Sequence, residues 1–534
     1  MGGPIEEVAG FAKELLALYG LPGLSLAVVG RDGALGAAQI GGADLERGQA
    51  VGPDTLFEIG SIGKSFTAIC VLLLHEEGRL DLRAPVESIL PWFDAGPHTE
   101  SITVHHLLTH TAGIAAGSDV SSDSRFDVWA LREELCPAAP GLHYHYSNVG
   151  YRALGYVVEE LTGRRYPEVV RDWILEPLGM ESAEAALANE LRPRLAVGYE
   201  RWCDDRPARR DDRLVPAVWL ETDTGDGSIA SSALELGRFL RMLLSEGRLP
   251  HGRLLAPASF DLLTQPAVES DDGWAYGYGL ETKTVEGRRL LRHEGSMPGF
   301  VAAMVGDLDA GLGAVVLLNG PDEAEIVNRV AAHALDVFRA EQEGRPPPER
   351  PSVDPVAVEN ADDYAGRWTS ERGELVLEAS EGRLELCLDG VRAPLESRRE
   401  DAFLVPHPDF ARFLLSFARE DGALTEARHG SERYGRGTEP PPRSECPGEW
   451  RAYPGRYRAV NPWVAGFRVV HRAGALWVAY PWGREDPLAP LDGGAFRVGA
   501  EDWSPEWVRF DAVAGGEALR ATLSGCAYYR VSFP

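Results

Sequence analysis

The chain has 534 residues, of which 44% are hydrophobic and 9% aromatic, as is typical of globular proteins. One domain of this length would be unusual, so about two to four domains are expected. The 82 acidic and 53 basic residues give a formal charge of −29. This charge argues against a nucleic acid or an anionic membrane as partner and is compatible with a cationic or neutral substrate.

The six cysteines are scattered, and no C-x-x-C pair occurs among them. This usage favours reduced thiols over a disulfide framework. The opening residues, Met-Gly-Gly-Pro-Ile-Glu-Glu-Val, lack the basic and apolar regions of a signal peptide. No stretch approaches the length of a transmembrane helix, so we expect a cytoplasmic protein.

The N-terminal segment predicts a helix followed by two strands. Apolar residues recur at helical spacing from Ile5 to Leu16, and Gly20 ends the helix. The continuous apolar run at 24–29 is typical of a buried strand, and residues 34–40 predict a second strand. The stretch 66–74 is apolar on all sides, which predicts a buried helix.

From residue 81 to 213 the pattern is helical and rich in loops, and 233–246 predicts a strong helix. From Trp274 the period changes to two, which predicts antiparallel strands at 277–285, 288–293, 301–308 and 313–319 before a long helix at 322–340. Strands at both ends with helices between them predict one antiparallel sheet covered by terminal helices, with a helical insertion. We expect a site in the cleft between sheet and insertion.

A proline-rich spacer, Gly344 to Pro355, indicates a domain boundary. Beyond it, short alternating strands form a weak repeat that begins at Tyr364-Ala-Gly-Arg-Trp and again at Tyr453-Pro-Gly-Arg-Tyr. Two small antiparallel barrels would satisfy this repeat. We therefore predict domains at 1–343, 358–446 and 447–534, with a linker at 344–357.

The stretch Ser61-Ile-Gly-Lys64 carries the first chemical signal. Positions i and i+3 share a helix face, so the Lys64 amine lies beside the Ser61 hydroxyl, which needs a nearby base to become nucleophilic. Ser61 falls at the predicted helix N-terminus, which favours developing negative charge. Burial would lower the pKa of a lysine, and the chain has only two other lysines, Lys13 and Lys283.

Two other interpretations apply to the same letters. Glu58 to Ser65 is one residue short of the phosphate-binding loop G-x-x-x-x-G-K-S, but Glu58 replaces its first glycine and would repel a phosphate. An incidental serine and lysine at a helix start would be favoured if the motif stood alone.

A second motif, Tyr146-Ser-Asn148, lies in a loop that enters a helix. The Tyr146 hydroxyl could relay a proton to a leaving group. The Asn148 amide could hold a substrate carbonyl and the lysine amine. Alone, this spacing is more often found in a structural loop.

The third motif, His293-Glu-Gly295-Ser296, ends a predicted strand. Period two places His293 and Gly295 on one face, where glycine permits close approach of a substrate. The peptide N–H of Ser296 could join that of Ser61 in an oxyanion hole. By itself His293 is more often an ordinary strand residue.

In this order the three motifs resemble S-x-x-K, Y-x-N and [KH]-x-G of the serine β-lactamase/penicillin-binding-protein superfamily, in its class C-like S12 peptidase/esterase branch. The resemblance covers about residues 5–342 and extends to the stretches at 107–113, 140–141 and 225–230. It implies an α/β (α+β) β-lactamase/transpeptidase-like domain with a helical insertion. The tail resembles the lipocalin-like barrels of D-stereospecific aminopeptidases and of related peptide cyclases.

By this resemblance Ser61 attacks a carbonyl, Lys64 and Tyr146 move the proton, and an acyl-enzyme forms without a cofactor. His293 stands where β-lactamases carry lysine, which disfavours efficient β-lactam hydrolysis. The expected function is a serine hydrolase acting on small amides or peptides, with a D-aminopeptidase as the leading form. A carboxylesterase or an acyltransferase/cyclase is the alternative within enzymes, and a ligand-binding or sensor protein is the alternative outside them.

The three histidines His105, His106 and His110 suggest a metal site, since His106 and His110 are four residues apart. No acidic or third ligand at suitable spacing completes it, so we predict no metal. The expected partner is a small molecule or peptide substrate, and homo-oligomerisation stays open.

Overall fold

The computed structural model describes residues 3–117, 124–270, 273–388, 390–442 and 444–531. It divides into two compact units, Met1–Trp202 with Arg213–Pro351, and Cys203–Asp212 with Ser352–Pro534. The break at residue 351 lies within the predicted spacer, whereas nothing in the sequence pattern indicated that 203–212 would group with the second unit. The domain limits given above remain a proposal.

The first unit is organised around a nine-stranded antiparallel sheet. Its two central strands, Gly23–Gly30 and Leu312–Leu318, are buried at every residue, which explains their continuous apolar sequences. In spatial order the strands are Val268–Glu269, Ala275–Tyr276, Glu281–Val285, Arg288–Met297, Phe300–Asp307, Leu312–Leu318, Gly23–Gly30, Gly33–Asp44 and Gln49–Ala50.

The terminal helices cover this sheet, as the sequence predicts. Pro4–Tyr19 packs on Ala324–Gln342, with the rings of Phe11 and His333 4.8 Å apart. A left-handed Gly20 ends the first helix. A third helix, Ala233–Leu244, packs on the central strands.

The remaining helices and short strands of this unit lie outside the nine-stranded sheet, and several of the helices pack on the buried helix Gly63–Glu76. The helices are Val104–Leu108, Ser124–Trp129, Asn148–Thr162, Tyr166–Val170, the π-helical Arg171–Leu175, Glu176–Leu178 and Pro257–Thr264. The two-stranded pairs are Phe57–Glu58 with Ala230–Ser231, Tyr199–Arg201 with Leu214–Pro216, and Arg248–Leu249 with Gly252–Arg253. Within the described ranges, no helix is both long enough and apolar enough to span a membrane.

Three boundaries differ from the prediction. The strand predicted at 277–285 is interrupted, with Ala275–Tyr276 and Glu281–Val285 separated by a turn at the left-handed Gly279. The strand predicted to end at His293 continues to Met297, because its ladder with Phe300–Asp307 runs to a two-residue turn. Ser61 lies in a 3₁₀ turn, Gly60–Ile62, just before its helix rather than on it.

The second unit contains two antiparallel barrels. Gly455–Arg458, Gly466–Arg472, Ala475–Ala479, Glu485–Pro490, Ala495–Val498, Trp507–Ala514, Glu517–Leu523 and Cys526–Arg530 form a closed barrel. The other nine strands form a sheet that is nearly closed, in the order Val391–Pro394, Arg383–Leu388, Glu374–Ser380, Gly366–Thr369, Glu432–Arg436, Ala423–His429, Leu415–Glu420, Ala402–Leu404 and Glu396–Arg399. Apolar and aromatic side chains fill the core of each.

The internal repeat appears as the same contact in both barrels. The Trp368 indole N–H donates to the carbonyl of Tyr364 at 2.9 Å, and the Tyr457 hydroxyl donates to the carbonyl of Tyr453 at 2.7 Å. Trp368 and Tyr457 are both fully buried. The repeat therefore marks where an aromatic side chain anchors the first strand of each barrel.

Candidate active site

Ser61 occupies a turn that is held against the sheet. The turn follows the strand Phe57–Glu58 and leads into the helix Gly63–Glu76, whose apolar residues are buried on all sides. The helix N-terminus thus lies beside Ser61 and offers unpaired peptide N–H groups to developing negative charge.

Lys64 is fully buried, and its amine lies at the centre of the cluster. Its Nζ is 3.0 Å from Ser61 Oγ, 2.8 Å from Asn148 Oδ1 and 2.8 Å from the carbonyl oxygen of Asp226. The structure therefore brings Ser61, Lys64 and Asn148, which are far apart in sequence, within hydrogen-bond reach of one amine.

Tyr146 lies beside the same amine, with its ring centroid 4.8 Å from Lys64 Nζ. Ser147 caps the helix Asn148–Thr162, since its hydroxyl accepts from the peptide N–H of Gly150 at 3.2 Å. The peptide N–H of Ser147 in turn donates to His110 Nδ1 at 3.0 Å, and the His110 ring packs 4.2 Å from that of Tyr146. His110 is thus a positioning residue for this loop.

The strand Arg288–Met297 passes directly against the Ser61 turn, and two glycines make this approach possible. A Cβ on Gly295 would lie 1.9 Å from the carbonyl oxygen of Ile59 and 3.1 Å from the nitrogen of Ser61. A Cβ on Gly60, which has φ +50°, would lie 2.7 Å from the nitrogen of Ser296. Any larger side chain would separate the peptide groups of Ser61 and Ser296.

The direction of the Ser296 N–H follows from the strand register. Met297 pairs with Phe300 across the two-residue turn Pro298-Gly299, so these two residues exchange hydrogen bonds. Peptide groups alternate along an antiparallel ladder, so the Ser296 N–H points away from the strand Phe300–Asp307.

His293 is buried, and both of its ring nitrogens have protein partners. Nδ1 is 2.6 Å from the carbonyl of Glu294, which can only accept, so Nδ1 carries the proton and Nε2 accepts from the Tyr276 hydroxyl at 3.0 Å. Burial, with the positive charges of Lys64 and Arg292, lowers the pKa of His293 to about 3. His293 is therefore neutral near pH 7 and supplies no cation here.

These groups open onto a cavity of about 520 Å³. Ser61, His293, Gly295 and Ser296 are at its floor, with Tyr144, Tyr146 and Tyr276 around them. Charged and polar groups also line it, namely Glu281, Arg292, Glu294, Asp322 and Asn328.

Comparison with known proteins now bears on the identity of the chain. A family described as Beta-lactamase matches residues 8–337. The chain belongs to the β-lactamase family. It is thus an enzyme, a serine hydrolase of the serine β-lactamase/penicillin-binding-protein superfamily in its S12-like branch, and the fold inferred from its motifs is confirmed.

Individual relatives of this β-lactamase-family chain are consistent with the family assignment. Penicillin-binding protein 4 of Amycolatopsis lactamdurans is 30% identical over 318 residues, which is 56% of this chain and 81% of that protein. A D-aminopeptidase of Gluconobacter oxydans is 27% identical over 332 residues, 60% of this chain and 58% of that one. The structure of the octameric penicillin-binding protein homologue from Pyrococcus abyssi is similar over 80% of this chain and 99% of its own, with a TM-score of 0.59 and 25% identity.

Sequence reasoning missed Asp226, which supports Lys64 in the β-lactamase-family site. Its carbonyl accepts from Lys64, while its carboxylate accepts from Arg152 Nε at 3.1 Å and from the Thr224 hydroxyl at 2.5 Å. Burial alone would raise the pKa of Asp226, but the charges of Arg152 and Lys64 hold it below its usual value. The stretch 225–230 had been noted only as similar to the family, and no spacing rule ties it to Lys64.

Tyr276 was missed for the same reason, since it lies in a short strand with no motif of its own. The histidines whose spacing suggests a metal site, His105, His106 and His110, have other contacts. The helix ends at Leu108, so His106 and His110 do not share a helix face, and His105 Nδ1 is 2.7 Å from the Tyr278 hydroxyl. Within the described residues, no three His, Cys, Asp or Glu side chains are grouped to hold a metal ion.

Proposed function

We propose that this chain is a serine amidase or peptidase that forms an acyl-enzyme on Ser61 and releases an amine from small amides or peptides with a free α-ammonium group. A D-configured acyl residue is the favoured substrate. The observation that carries the proposal is the Ser61–Lys64–Asn148 cluster, whose Ser61 opens onto a cavity lined by several acidic side chains.

The contacts of Lys64 suit a general base. Asn148 Oδ1 and the Asp226 carbonyl can only accept, so each takes an N–H of Lys64. When Lys64 loses a proton, the Ser61 hydroxyl can donate to the lone pair of its neutral amine, 3.0 Å away. Removal of this proton as Ser61 attacks would create the charged amine at a site already lined with acceptors.

The expected oxyanion donors are the peptide N–H groups of Ser61 and Ser296. They lie on the two segments that Gly60 and Gly295 allow to meet. Two such donors stabilise the tetrahedral intermediate, and losing one typically costs about 10²–10³ in rate. Tyr146, beside Lys64, is the group proposed to pass the proton on to the leaving amine.

The charges at the rim favour a substrate ammonium group. Among the described residues that line the Ser61 cavity, the acidic side chains are Glu281, Glu294 and Asp322, against one guanidinium, that of Arg292. Burial and the charge of Glu294 raise the pKa of Asp322, so Glu281 and Glu294 supply most of the negative charge. Glu281 pairs with Arg292 at 2.7 Å, and Asn328 donates to Glu294 at 2.8 Å. The excess of negative charge would attract an amine end and repel a carboxylate. The D-configuration is inferred from the Gluconobacter relative.

A carboxylesterase or an acyltransferase is the second candidate, and the neutral His293 favours it over a β-lactamase. A neutral His293 supplies no cation at the position where a β-lactamase lysine would pair with a carboxylate next to the scissile bond. The cores of both barrels are filled by side chains, which gives little support to a protein that binds its ligand inside a barrel.

The test is a panel of chromogenic substrates. D-alanyl and L-alanyl p-nitroanilide and 4-nitrophenyl acetate would be compared by kcat/KM in the wild type and in Ser61→Ala. We expect the D-anilide to be preferred and all activity to be lost in Ser61→Ala. Preference for the acetate would select the esterase, and full activity in Ser61→Ala would refute a Ser61 nucleophile.

Two further expectations concern the whole protein. We infer a cytoplasmic location, supported by the six cysteines, all of which are free thiols in the structure. We also infer a homo-oligomer, supported by the octameric homologue from Pyrococcus abyssi. Light scattering of the purified full chain would measure its mass in solution, and a monomer would refute the second inference.

A further inference from the structure

A second cavity of the first unit, of about 650 Å³, has a different character from the Ser61 cavity. None of its described lining residues lines the Ser61 cavity. Most of its wall is apolar and includes Ala217, Trp219 and Phe300, and its charged lining residues are Glu58, Arg47 and Arg192.

Glu58 is the one acidic side chain among the described residues that line this cavity. It lies on the strand Phe57–Glu58 and is only 4% exposed. Its carboxyl has no hydrogen-bond or ion-pair partner within the described ranges, and burial raises its pKa to about 8. A buried carboxyl without a partner is costly, so a partner that enters the cavity would gain free energy.

The walls around Glu58 suit a cation with an apolar body. Phe300 and Trp219 contribute aromatic rings, and ring faces attract cations. The buried Trp219 indole N–H also lacks an acceptor in the part of the chain that the structure describes.

The two arginines of the lining do not neutralise Glu58. Arg47 pairs with Asp44 at 3.5 Å, and the Arg192 guanidinium lies 5.5 Å from the centre of the Trp219 ring. Neither forms an ion pair with Glu58, so an entering cation would find this carboxyl available.

We propose that this cavity is a binding site for a small organic ammonium ion with an apolar or aromatic body, its charged end on Glu58 and its body against Trp219 and Phe300. The site is separate from the Ser61 chemistry and does not depend on it. Its occupant would nevertheless lie against both segments of the proposed oxyanion hole, because Glu58 is three residues before Ser61 and Pro298 is two residues after Ser296.

The experiment compares 2-phenylethylammonium with neutral 2-phenylethanol, titrated into the full-length protein at pH 8 by calorimetry. We expect the ammonium ion to bind and Glu58→Gln to weaken it at least about tenfold. Binding of the alcohol should be the same in both proteins. Glu294→Gln, which removes a carboxylate of the Ser61 cavity instead, is the matched control: it reports binding of the ammonium ion in that cavity and should leave the Glu58-dependent binding in place.

Two further variants keep the test decisive if Glu58→Gln fails to fold. Ala217→Leu narrows the cavity and Trp219→Phe removes the larger ring, and each should weaken the ammonium ion. The proposal is overturned if none of the folded variants weakens it. It is equally overturned if Glu294→Gln weakens it while Glu58→Gln does not, because the ammonium ion would then occupy the Ser61 cavity.

Discussion

The two cavities of the first unit differ in how their buried polar groups are satisfied. At the Ser61 cavity, Lys64 Nζ meets three oxygens within 3.0 Å, and both nitrogens of His293 have partners. At the second cavity, the Glu58 carboxyl and the Trp219 N–H have none within the described residues. A fully hydrogen-bonded network holds catalytic side chains in one orientation, whereas a buried polar group without a partner could form its hydrogen bond or ion pair with a ligand.

The largest expected effect comes from changing the base of the paired network. Lys64→Arg keeps a positive charge but cannot be deprotonated, so kcat/KM should fall by about 10³-fold or more. Steady-state kinetics on the best substrate of the panel would measure the loss. Lys13→Arg, on the exposed side of the N-terminal helix, is the matched control and should leave kcat/KM unchanged. Equal activity of the two variants would remove Lys64 from the mechanism.

Tyr146→Phe should come next, since it keeps the ring beside Lys64 and removes only the hydroxyl. We expect a loss of about 10²–10⁴ in kcat, with little change in thermal stability. An unaltered rate would exclude Tyr146 from proton transfer and leave it a packing role against His110.

A smaller effect is expected for Tyr276→Phe, which removes the donor to His293 Nε2. We expect kcat/KM to fall by about tenfold at most and the free energy of unfolding to fall by about 1–2 kcal/mol. Because the donor stabilises the neutral ring, its loss should raise the pKa of His293 from about 3, which an NMR titration of the His293 ring would measure.

The control for Tyr276→Phe is Tyr278→Phe, whose hydroxyl contacts His105 instead. Both variants lose a buried hydroxyl, but only Tyr276→Phe should shift the titration of the His293 ring. The same shift in both would contradict a specific contact with His293.

These residues also show what sequence can and cannot predict. The Ser61–Lys64, Tyr146–Asn148 and His293–Gly295 pairs were found because close spacing on one element constrains each pair. Asp226, Tyr276 and Glu58 contribute through contacts set by strand register and by the packing of distant loops. The sequence shows that Glu58 lies three residues before Ser61. It does not predict that the Glu58 carboxyl lines a cavity without a partner.

The same limit applies to the fold. The central strands Gly23–Gly30 and Leu312–Leu318 were predictable because burial on both faces requires an unbroken apolar run. The grouping of residues 203–212 with the second unit was not predictable. It depends on ion pairs such as Arg210 with Glu396 at 2.9 Å, and the sequence of a charged loop has no hydrophobic period that would indicate what it contacts.

The smallest expected effect concerns the second cavity, which Glu58 lines, and it is a change in the pH dependence of stability. The pKa of Glu58 is about 8 when folded and near the ordinary glutamate value of 4.5 when unfolded. Between these pH values only the folded state holds the proton, so stability falls as pH rises from 4.5 to 8. Glu58→Gln removes this dependence, and the loss of unfolding free energy between pH 5 and 8 should shrink by about 1–3 kcal/mol.

Urea unfolding of both proteins at pH 5 and pH 8 would measure this difference. Glu294→Gln at the rim of the Ser61 cavity is the control and should show the wild-type pH dependence. An identical pH dependence in Glu58→Gln would mean that the Glu58 carboxyl is not buried alone.

The most direct test of the central claim is to locate the nucleophile by labelling. The full-length protein would be treated with a fluorophosphonate probe, digested, and analysed by mass spectrometry, with Ser61→Ala and Lys64→Arg in parallel. The account predicts a single adduct on the peptide that contains Ser61, absent from Ser61→Ala and formed much more slowly in Lys64→Arg. An adduct on another serine, or equal labelling of all three proteins, would contradict a Ser61 nucleophile activated by Lys64.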